Sequence, residues 1–264
     1  MNSTYCMKMF TSQLIPDIVR KHIKKVYYRI PLKCRIGNRY WQIKRFLQKS
    51  QWWYKNRIEE WQLNRLREIV KYAYGNVPGY HSLYRAAGVK PKDIETLSDI
   101  KILPFVTKEM IRDNLEEFTS KAVPKGKRIY GTTGGSTGIP FGFYHTISDE
   151  IMEKAFMHLG WERAGWDLGD SCAILRGAFV GSEERYWDFA PDEKELLLST
   201  YYLTEKSYDK YISKISEFRP VHLKGYPSAV TILADLILEK EDVGRINFKA
   251  ILLGSENIYE WQKR

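Results

Sequence analysis

The chain has 264 residues, of which 44% are hydrophobic and 14% aromatic, and this composition is typical of a globular protein. No apolar run approaches the roughly 20 residues of a membrane-spanning helix, and the first residues lack the pattern of a secretory signal. The three cysteines, Cys6, Cys34 and Cys172, have no CxxC spacing, which argues against a disulfide framework and a zinc cluster. These features predict a cytoplasmic protein with one large domain or a domain plus an extension.

The net charge of +10 is concentrated at the N-terminus. Residues 1–58 contain 14 Lys or Arg residues and one acidic residue, whereas the remaining residues contain 28 basic and 31 acidic ones. Residues 19–58 interleave the basic side chains with aliphatic and aromatic ones, which fits a patch on the anionic inner face of a membrane. The alternative, a basic helical arm packed on the body, is favoured because Pro31 and Gly37 interrupt the amphipathic pattern. No recognition motif accompanies the charge, so we expect no nucleic-acid partner.

The first part of the body is predicted to be helical. Apolar residues recur at helical spacing over residues 58–73, and Gly75 and Pro78 are predicted to end this helix. Residues 86–104 are predicted to form a connector of short helices and loops. Thr107 is predicted to cap the helix that follows, because a threonine side chain accepts a hydrogen bond from a first-turn amide.

Strands and helices alternate after residue 145. The predicted elements are a helix over 148–164, a buried strand over 172–180, a helix over 205–218 capped by Thr204, a strand over 221–226, a helix over 227–240, and a buried strand over 248–254. This alternation predicts an α/β fold with a mixed, largely parallel sheet and flanking helices. The predicted division is a basic helical arm over residues 1–57 and a domain over residues 58–264.

A glycine-rich stretch lies near the centre of the chain, at residues 130–145, with the sequence YGTTGGSTGIPFGFYH. The stretch lacks the Walker lysine, and the dinucleotide pattern GxGxxG fails after Gly131 and after Gly134. Pro140 precedes an aromatic strand signal rather than a helix, so the predicted arrangement is strand, loop, strand. Glycine lets the backbone approach a phosphate closely, and Ser and Thr hydroxyls donate hydrogen bonds to it. A glycine-rich hairpin with no ligand is the alternative.

The segment TGGSTGIP, residues 133–140, resembles the phosphate loop of the adenylate-forming superfamily. The similarity extends to residues 66–114, 199–237 and 254–264, and it points to the phenylacetate–coenzyme A ligase branch with its capsular polysaccharide biosynthesis group. The resemblance implies the N-terminal part of the large domain of such an enzyme. It also implies a two-step reaction, in which a carboxylate attacks the α-phosphate of Mg-bound ATP and a nucleophile, coenzyme A among the candidates, then takes the acyl group.

The same resemblance assigns the residues that bind ATP. The residues of the phosphate loop would be Thr133, Gly134, Gly135, Ser136, Thr137 and Gly138. In this loop the hydroxyls would donate to the β- and γ-phosphates, where fixed donors stabilise the charge that develops during the reaction. The tripeptide that contacts adenine would be Gly254, Ser255 and Glu256. It follows a predicted strand, and ligands of α/β sheets bind at the carboxyl ends of the strands.

Candidates for the substrate pocket follow from strand ends as well. Gly225, Tyr226 and Pro227 would line an acyl pocket or, equally well, form the entry of a helix. His145 lies on the strand that leaves the phosphate loop and could face the ligand. His81, His145 and His222 all stand singly in the sequence, with no carboxylate at ligand spacing, so we expect packed or surface histidines and assign no metal site to this chain.

The sequence departs from the superfamily pattern at two points. Many superfamily members have Lys where this chain has Ile139, so one cationic phosphate contact is absent. The magnesium-linked acid, the ribose-binding Asp and the catalytic Lys of the family would fall beyond Arg264, so no catalytic residue is assigned and the chain is interpreted as an N-terminal fragment. The expected function is ATP-dependent activation of a carboxylic acid for capsular or cell-surface polysaccharide synthesis. The alternative is a non-catalytic truncated remnant that serves as a membrane- or complex-binding scaffold.

Overall fold

The computed structural model describes residues 27, 29–133, 140–177, 186–191 and 194–263. The chain divides into two compact units. One unit comprises Arg39–Ala155, and the other comprises the described residues before Arg39 and after Ala155. No helix in these described ranges is both long enough and apolar enough to cross a membrane.

The elements are labelled here in chain order. The helices are α1 (Leu32–Arg35), α2 (Asn38–Ser50), α3 (Lys55–Asn76), α4 (Pro78–Ala86), α5 (Lys108–Asp113), α6 (Ile147–Glu162), α7 (Tyr208–Phe218) and α8 (Pro227–Glu239). The strands are β1 (Ile129–Thr132), β2 (Gly142–His145), β3 (Cys172–Arg176), β4 (Trp187–Ala190), β5 (Glu195–Ser199), β6 (His222–Gly225) and β7 (Ala250–Leu253). Short 3₁₀ turns occupy Pro91–Asp93, Leu97–Ile102, Lys125–Lys127, Thr200–Tyr202 and Glu260–Lys263.

The long helix α3 confirms the periodicity read from the sequence. Its apolar face packs in a small core with Val70, Tyr84 and Ile94, which are all buried. Arg67 on the same helix donates to the carbonyl oxygens of Ile94 and Glu95 at 2.9 and 2.8 Å. These bonds tie the connector after α4 to α3.

Helix α4 was not predicted, because Pro78 was interpreted only as the end of α3. In the structure Pro78 is the first residue of α4. A proline at this position loses no hydrogen bond, and its fixed φ suits the first turn of a helix. The cap of α5, in contrast, is confirmed: the Thr107 hydroxyl accepts a hydrogen bond from the Met110 amide at 3.2 Å.

Helix α2 belongs to the basic N-terminal region and is amphipathic. It buries Tyr40 and Leu47, and the ring of Phe46 lies 5.5 Å from that of Trp53 and 5.6 Å from that of Trp61. Aromatic pairs at such separations stabilise a packed interface. The buried face of α2, which also includes Lys44, is therefore already in contact with protein.

The second unit contains a five-stranded sheet with the strand order β4-β5-β3-β6-β7. Strands β5, β3, β6 and β7 are parallel, and β4 pairs antiparallel with β5 at one edge. The predicted mixed, largely parallel sheet is confirmed. Strands β4 and β5 were not predicted. The apolar run of β3 correctly indicated a buried strand, which in the structure lies at the centre of the sheet.

Helices α7 and α8 pack on one face of this sheet. The core contains the inward side chains of β3, β5 and β6 with Tyr211 and Ile212 of α7 and Leu233 of α8. The prediction that Thr204 caps α7 was wrong: the residue before the helix is Ser207. The Ser207 hydroxyl instead accepts from the Thr204 amide at 3.0 Å, which orders the turn that leads into the helix.

Strand β7 was predicted to be buried, and this prediction was wrong. The strand pairs only with β6 and forms the other edge of the sheet among the described strands. Ile251 is 50% exposed, and Leu253 is also exposed. An apolar run indicates a strand, but its burial depends on what lies beside it in space.

Candidate functional site

The glycine-rich stretch is carried by a two-stranded hairpin in the first unit. Strands β1 and β2 pair antiparallel, with Thr132 opposite Gly142. Beyond the last ladder pair, the Thr133 amide donates to the Phe141 carbonyl oxygen at 2.9 Å, and the Phe141 amide donates to the Thr133 hydroxyl at 3.2 Å. The predicted order of strand, loop and strand is confirmed, and Thr133 closes the base of the loop.

The remaining residues assigned to the phosphate loop lie outside the described residues. These are Gly134, Gly135, Ser136, Thr137 and Gly138, together with Ile139. Their assignment stays a prediction from the resemblance. The structure describes the two strands that hold this loop and the bonds at its base.

The Tyr130 side chain lies over Gly142 on the opposite strand. A Cβ atom there would lie 2.8 Å from Cζ of the Tyr130 ring on the opposite strand. Tyr130 also packs edge-on against Tyr144, with ring centroids 5.6 Å apart. The aromatic ring therefore lies over the backbone of β2, and a side chain at position 142 would displace it.

His145 ends β2 and is paired with a carboxylate. Its Nε2 lies 2.9 Å from Oε1 of Glu150 on α6, and both side chains are largely buried. The Nδ1 atom of His145 is buried and has no hydrogen-bond partner among the described residues. The sequence interpretation of an isolated histidine was wrong, because α6 begins directly after β2 and returns Glu150 to the strand. A role of His145 in the substrate pocket stays a prediction.

The first turn of α6 fixes this connection. The Asp149 carboxylate accepts hydrogen bonds from both the amide and the hydroxyl of Thr146, each at 2.8 Å. A carboxylate in the first helical turn also interacts favourably with the helix dipole. The hairpin is thus followed at once by a capped helix.

A second candidate region lies at the carboxyl edge of the sheet in the other unit. Strands β6 and β7 are parallel neighbours, so the residues that follow them meet at this edge. The Gly254 amide donates to the Gly225 carbonyl oxygen at 3.3 Å. The structure therefore brings the predicted adenine tripeptide, residues 254–256, next to the predicted acyl-pocket tripeptide, residues 225–227.

The segment after β6 is a helix entry. Pro227 is the first residue of α8, and Tyr226, in an extended conformation, precedes it. This confirms the helix-entry interpretation of residues 225–227. Tyr226 is 38% exposed, and its role as the wall of an acyl pocket stays a prediction.

Gly225 stands where three chain segments come close together. A Cβ atom on this residue would lie 2.8 Å from Val230 Cγ2 on α8 and 3.0 Å from the Leu175 carbonyl oxygen on β3. Real Cβ atoms do not approach other atoms so closely without a shift of the neighbours. Glycine at this position therefore allows α8 to start directly against the sheet.

The adenine tripeptide contains a non-glycine residue in the left-handed region, Ser255, with φ of 69°. Glu256 follows, and its carboxylate accepts hydrogen bonds from the Ser228 amide and the Ser228 hydroxyl, both at 2.9 Å. No role for Ser228 is predicted from the sequence. Its pairing with a residue 28 positions later follows from the adjacency of β6 and β7.

An open pocket of about 590 Å³ lies beside Glu256, between α8 and the segment after β7. Its lining includes Ser228, Ile232, Tyr259 and Trp261. The last three side chains are exposed and give this pocket a mainly apolar surface. No sequence signal indicated the pocket.

The sheet face opposite the core carries polar groups. The Lys224 ammonium lies 2.9 Å from Oε1 of Glu195 and 4.0 Å from the centroid of the Trp161 ring. Beneath this pair, burial raises the pKa of the Cys172 thiol, so this cysteine stays protonated near neutral pH. Glu195 is the first residue of β5, and Lys224 lies on β6, one residue before Gly225.

The same face contains a buried histidine. His222 Nε2 lies 3.1 Å from Oδ2 of Asp170, so His222 is not isolated as the sequence suggested. The two residues are 52 positions apart, and the sheet brings them together. No group of three His, Cys, Asp or Glu side chains in the described ranges could hold a metal ion.

No protein-family model matches the chain. Protein CapK of Staphylococcus aureus is 28% identical over 188 residues, which are 70% of this chain and 41% of CapK. The phenylacetate-coenzyme A ligase of Aromatoleum evansii is 28% identical over 200 residues, which are 74% of this chain and 44% of that protein. The corresponding Escherichia coli (strain K12) ligase is 39% identical over 94 residues, 35% of this chain and 21% of that protein. The chain thus spans less than half the length of these curated relatives.

Solved structures show the same fold. An open conformation of 2-hydroxyisobutyryl-CoA ligase in complex with 2-HIB-AMP and CoA matches 75% of this chain and 47% of that chain, with a TM-score of 0.57 at 18% identity. The same ligase in the postadenylation state matches with a TM-score of 0.56, also at 18% identity, over 76% of this chain and 44% of that one. The α/β fold is therefore that of part of an adenylate-forming ligase.

Proposed function

Because the chain is a distant homologue of the AMP-forming acid–coenzyme A ligases and of CapK, we propose that the protein activates a carboxylic acid with ATP. The carboxylate oxygen would attack the α-phosphorus of ATP, and pyrophosphate would leave. A nucleophile would then attack the carbonyl carbon of the acyl-adenylate, and AMP would leave. The chain spans less than half of its relatives' length, so this activity is proposed for the protein as a whole.

The observation that carries the proposal is the hairpin with its glycine-rich loop. The loop stands between two antiparallel strands and is closed at its base by Thr133. It therefore differs in context from the helix-capped phosphate loops. We propose that Thr133 to Gly138 hold the polyphosphate through backbone amides and through the hydroxyls of Ser136 and Thr137, because fixed donors stabilise charge that develops on phosphate oxygens.

We also propose that the carboxyl edge of the sheet contributes to ligand binding. Gly254, Ser255 and Glu256 would contact the adenine ring, and residues 225–227 would contact the acyl group. The adjacency of the two tripeptides across β6 and β7 supports this proposal, since ligands of α/β sheets bind outside the carboxyl ends of the strands.

Mg²⁺ is proposed only as the ion that is bound to ATP. The described residues contain no cluster of side chains that fits a metal ion. Coenzyme A is proposed as the acyl acceptor because the similar 2-hydroxyisobutyryl-CoA ligase was solved with CoA. A role in capsular or cell-surface polysaccharide synthesis is proposed from the similarity to CapK.

The arm over residues 1–57 is proposed to pack on protein rather than to bind a membrane. The buried Tyr40 and the ring contacts of Phe46 on α2 support this proposal. If the arm binds anionic lipid instead, the protein should float with vesicles rich in phosphatidylserine and not with phosphatidylcholine vesicles. The packing proposal predicts no flotation with either.

The test of the proposed activity is carboxylate-dependent exchange of labelled pyrophosphate into ATP. The purified protein would be assayed with a panel of acids that includes phenylacetate and 2-hydroxyisobutyrate. We expect exchange with at least one acid and none when the acid is omitted. No exchange over a broad panel, from a protein shown to be folded, would refute the proposal.

A further inference from the structure

The carboxylate of Glu256, in the predicted adenine tripeptide, is hydrogen-bonded to Ser228. Both Glu256 oxygens accept hydrogen bonds from Ser228, one from the amide and one from the hydroxyl, each at 2.9 Å. A carboxylate that accepts two bonds of this kind is strongly oriented. The Glu256 side chain is therefore directed at α8.

The partner of Glu256 is a group that needs an acceptor. Ser228 is the second residue of α8, and the amides in the first turn of a helix have no partner within the helix. Tyr226, the residue before the helix, makes no side-chain capping bond. Glu256 supplies the missing acceptor from outside the helix, and its charge is favourable at the positive end of the helix dipole.

The turn between β7 and Glu256 is bonded to the chain after β6 on both sides of Ser255. Ser255 holds a left-handed conformation, which is unfavourable for a residue with a side chain and persists only where the surroundings fix it. On one side of Ser255, the Gly254 amide is bound to Gly225 at 3.3 Å. On the other side, Glu256 is bound to Ser228. The two bonds fix the tripeptide at both ends.

We propose that Ser228 is a positioning residue for the nucleotide. It binds the Glu256 carboxylate to α8 and thereby sets the conformation of residues 254–256 against the end of β6. This inference rests on the proposed function, because it assumes that the tripeptide contacts ATP. It adds a residue that acts through Glu256 and that the sequence resemblance did not assign.

The test compares Ser228→Ala with Ser228→Thr, which retains the hydroxyl. One hydrogen bond to a charged acceptor corresponds to about a tenfold change in an equilibrium. We expect Ser228→Ala to weaken ATP binding in calorimetry about tenfold and to raise the KM for ATP to a similar degree, with the KM for the acid unchanged. Ser228→Thr should stay within about twofold of the wild type. Ser216→Ala is the matched control, because the Ser216 hydroxyl is buried without a partner among the described residues.

A double-substitution cycle separates positioning from a general loss of stability. In a Glu256→Gln background, adding Ser228→Ala should weaken ATP binding by less than about twofold, because the bond is already impaired. ATP binding by Ser228→Ala equal to that of Ser216→Ala would overturn the positioning role, and so would fully additive effects. If Ser228→Ala does not fold, the Ser228→Thr and Glu256→Gln variants still test the positioning role. A tenfold loss of ATP binding in Ser228→Thr would contradict the role of the hydroxyl.

Failure of the proposed function has a different signature. A folded wild type that binds no ATP would refute the proposed function, and the positioning role would fall with it. A wild type that binds ATP, with Ser228→Ala binding equally well, would overturn only the positioning role. Hydrogen exchange at the Ser228 amide measures directly whether its hydrogen bond to Glu256 is formed. It should be slower in the wild type than in Glu256→Ala, and equal rates would overturn the inference.

Discussion

A Glu195→Gln substitution removes the charge that faces the Lys224 ammonium across the sheet. The two groups lie 2.9 Å apart, and their side chains are 16% and 12% exposed. The substitution keeps the size of the side chain and leaves the Lys224 charge on a largely buried face beside Trp161. The loss of stability should therefore reflect the ion pair rather than a cavity.

The expected magnitude follows from the burial of the pair. Removing one partner of a buried ion pair costs about 3–5 kcal/mol, because the remaining charge loses its compensation. Since both side chains retain some exposure, we expect the lower end, about 3 kcal/mol. For a protein of this size, each 1 kcal/mol lowers the Tm by about 2–4 °C. The Tm should then fall by roughly 6–12 °C.

The chain offers a matched control in Lys214 and Glu217. This pair has the same separation of 2.9 Å, but its side chains are 27% and 71% exposed. Exposed pairs contribute about 0–1 kcal/mol, so Glu217→Gln should lower the Tm by no more than about 4 °C. Both variants would be followed by circular dichroism on heating and in urea. A Glu195→Gln variant as stable as Glu217→Gln would refute the reasoning from burial.

Three further predictions concern single residues. Gly225→Ala should lower the free energy of unfolding by about 2 kcal/mol, because its Cβ would meet Val230 and Leu175. Gly160→Ala, on α6 with open space around it, should raise the free energy of unfolding by about 0.5–1 kcal/mol. Equal effects of the two substitutions in urea unfolding would contradict this. Thr107→Ala should cost about 1 kcal/mol through the lost cap of α5, and an unchanged urea midpoint would count against the cap. Burial, and secondly a hydrogen bond to Asp242, raises the pKa of Tyr208 to about 12. Stability linked to a raised pKa is complete below the unfolded pKa of about 10 and is lost as pH rises towards 12, so Tyr208→Phe should flatten the decline of the Tm between pH 10 and 12, and an unchanged decline would contradict the assignment.

Local patterns predicted the elements whose causes are local. The spacing of apolar residues in α3, the apolar run of β3 and the position of Pro140 before an aromatic strand all correspond to the structure. In each case the deciding interaction lies within a few residues along the chain. The Thr107 cap belongs to the same class, because donor and acceptor are three residues apart.

Features that depend on sheet neighbours could not be predicted from the sequence. The edge position of β7 left Ile251 exposed, although its apolar run resembles a buried strand. His222 and Asp170 are 52 residues apart, and Ser228 and Glu256 are 28 apart, so only the strand order brings these pairs together. The start of α4 at Pro78 was missed for a different reason, since proline both ends and begins helices.

The central claim is that the carboxylate is activated as an acyl-adenylate. Its most direct measurement uses an acid that supports pyrophosphate exchange, labelled with ¹⁸O in the carboxylate. If the carboxylate oxygen attacks the α-phosphorus and AMP later leaves from the carbonyl carbon, mass spectrometry will find one ¹⁸O atom in each AMP formed. Unlabelled AMP, or ¹⁸O in inorganic phosphate together with ADP, would contradict the account.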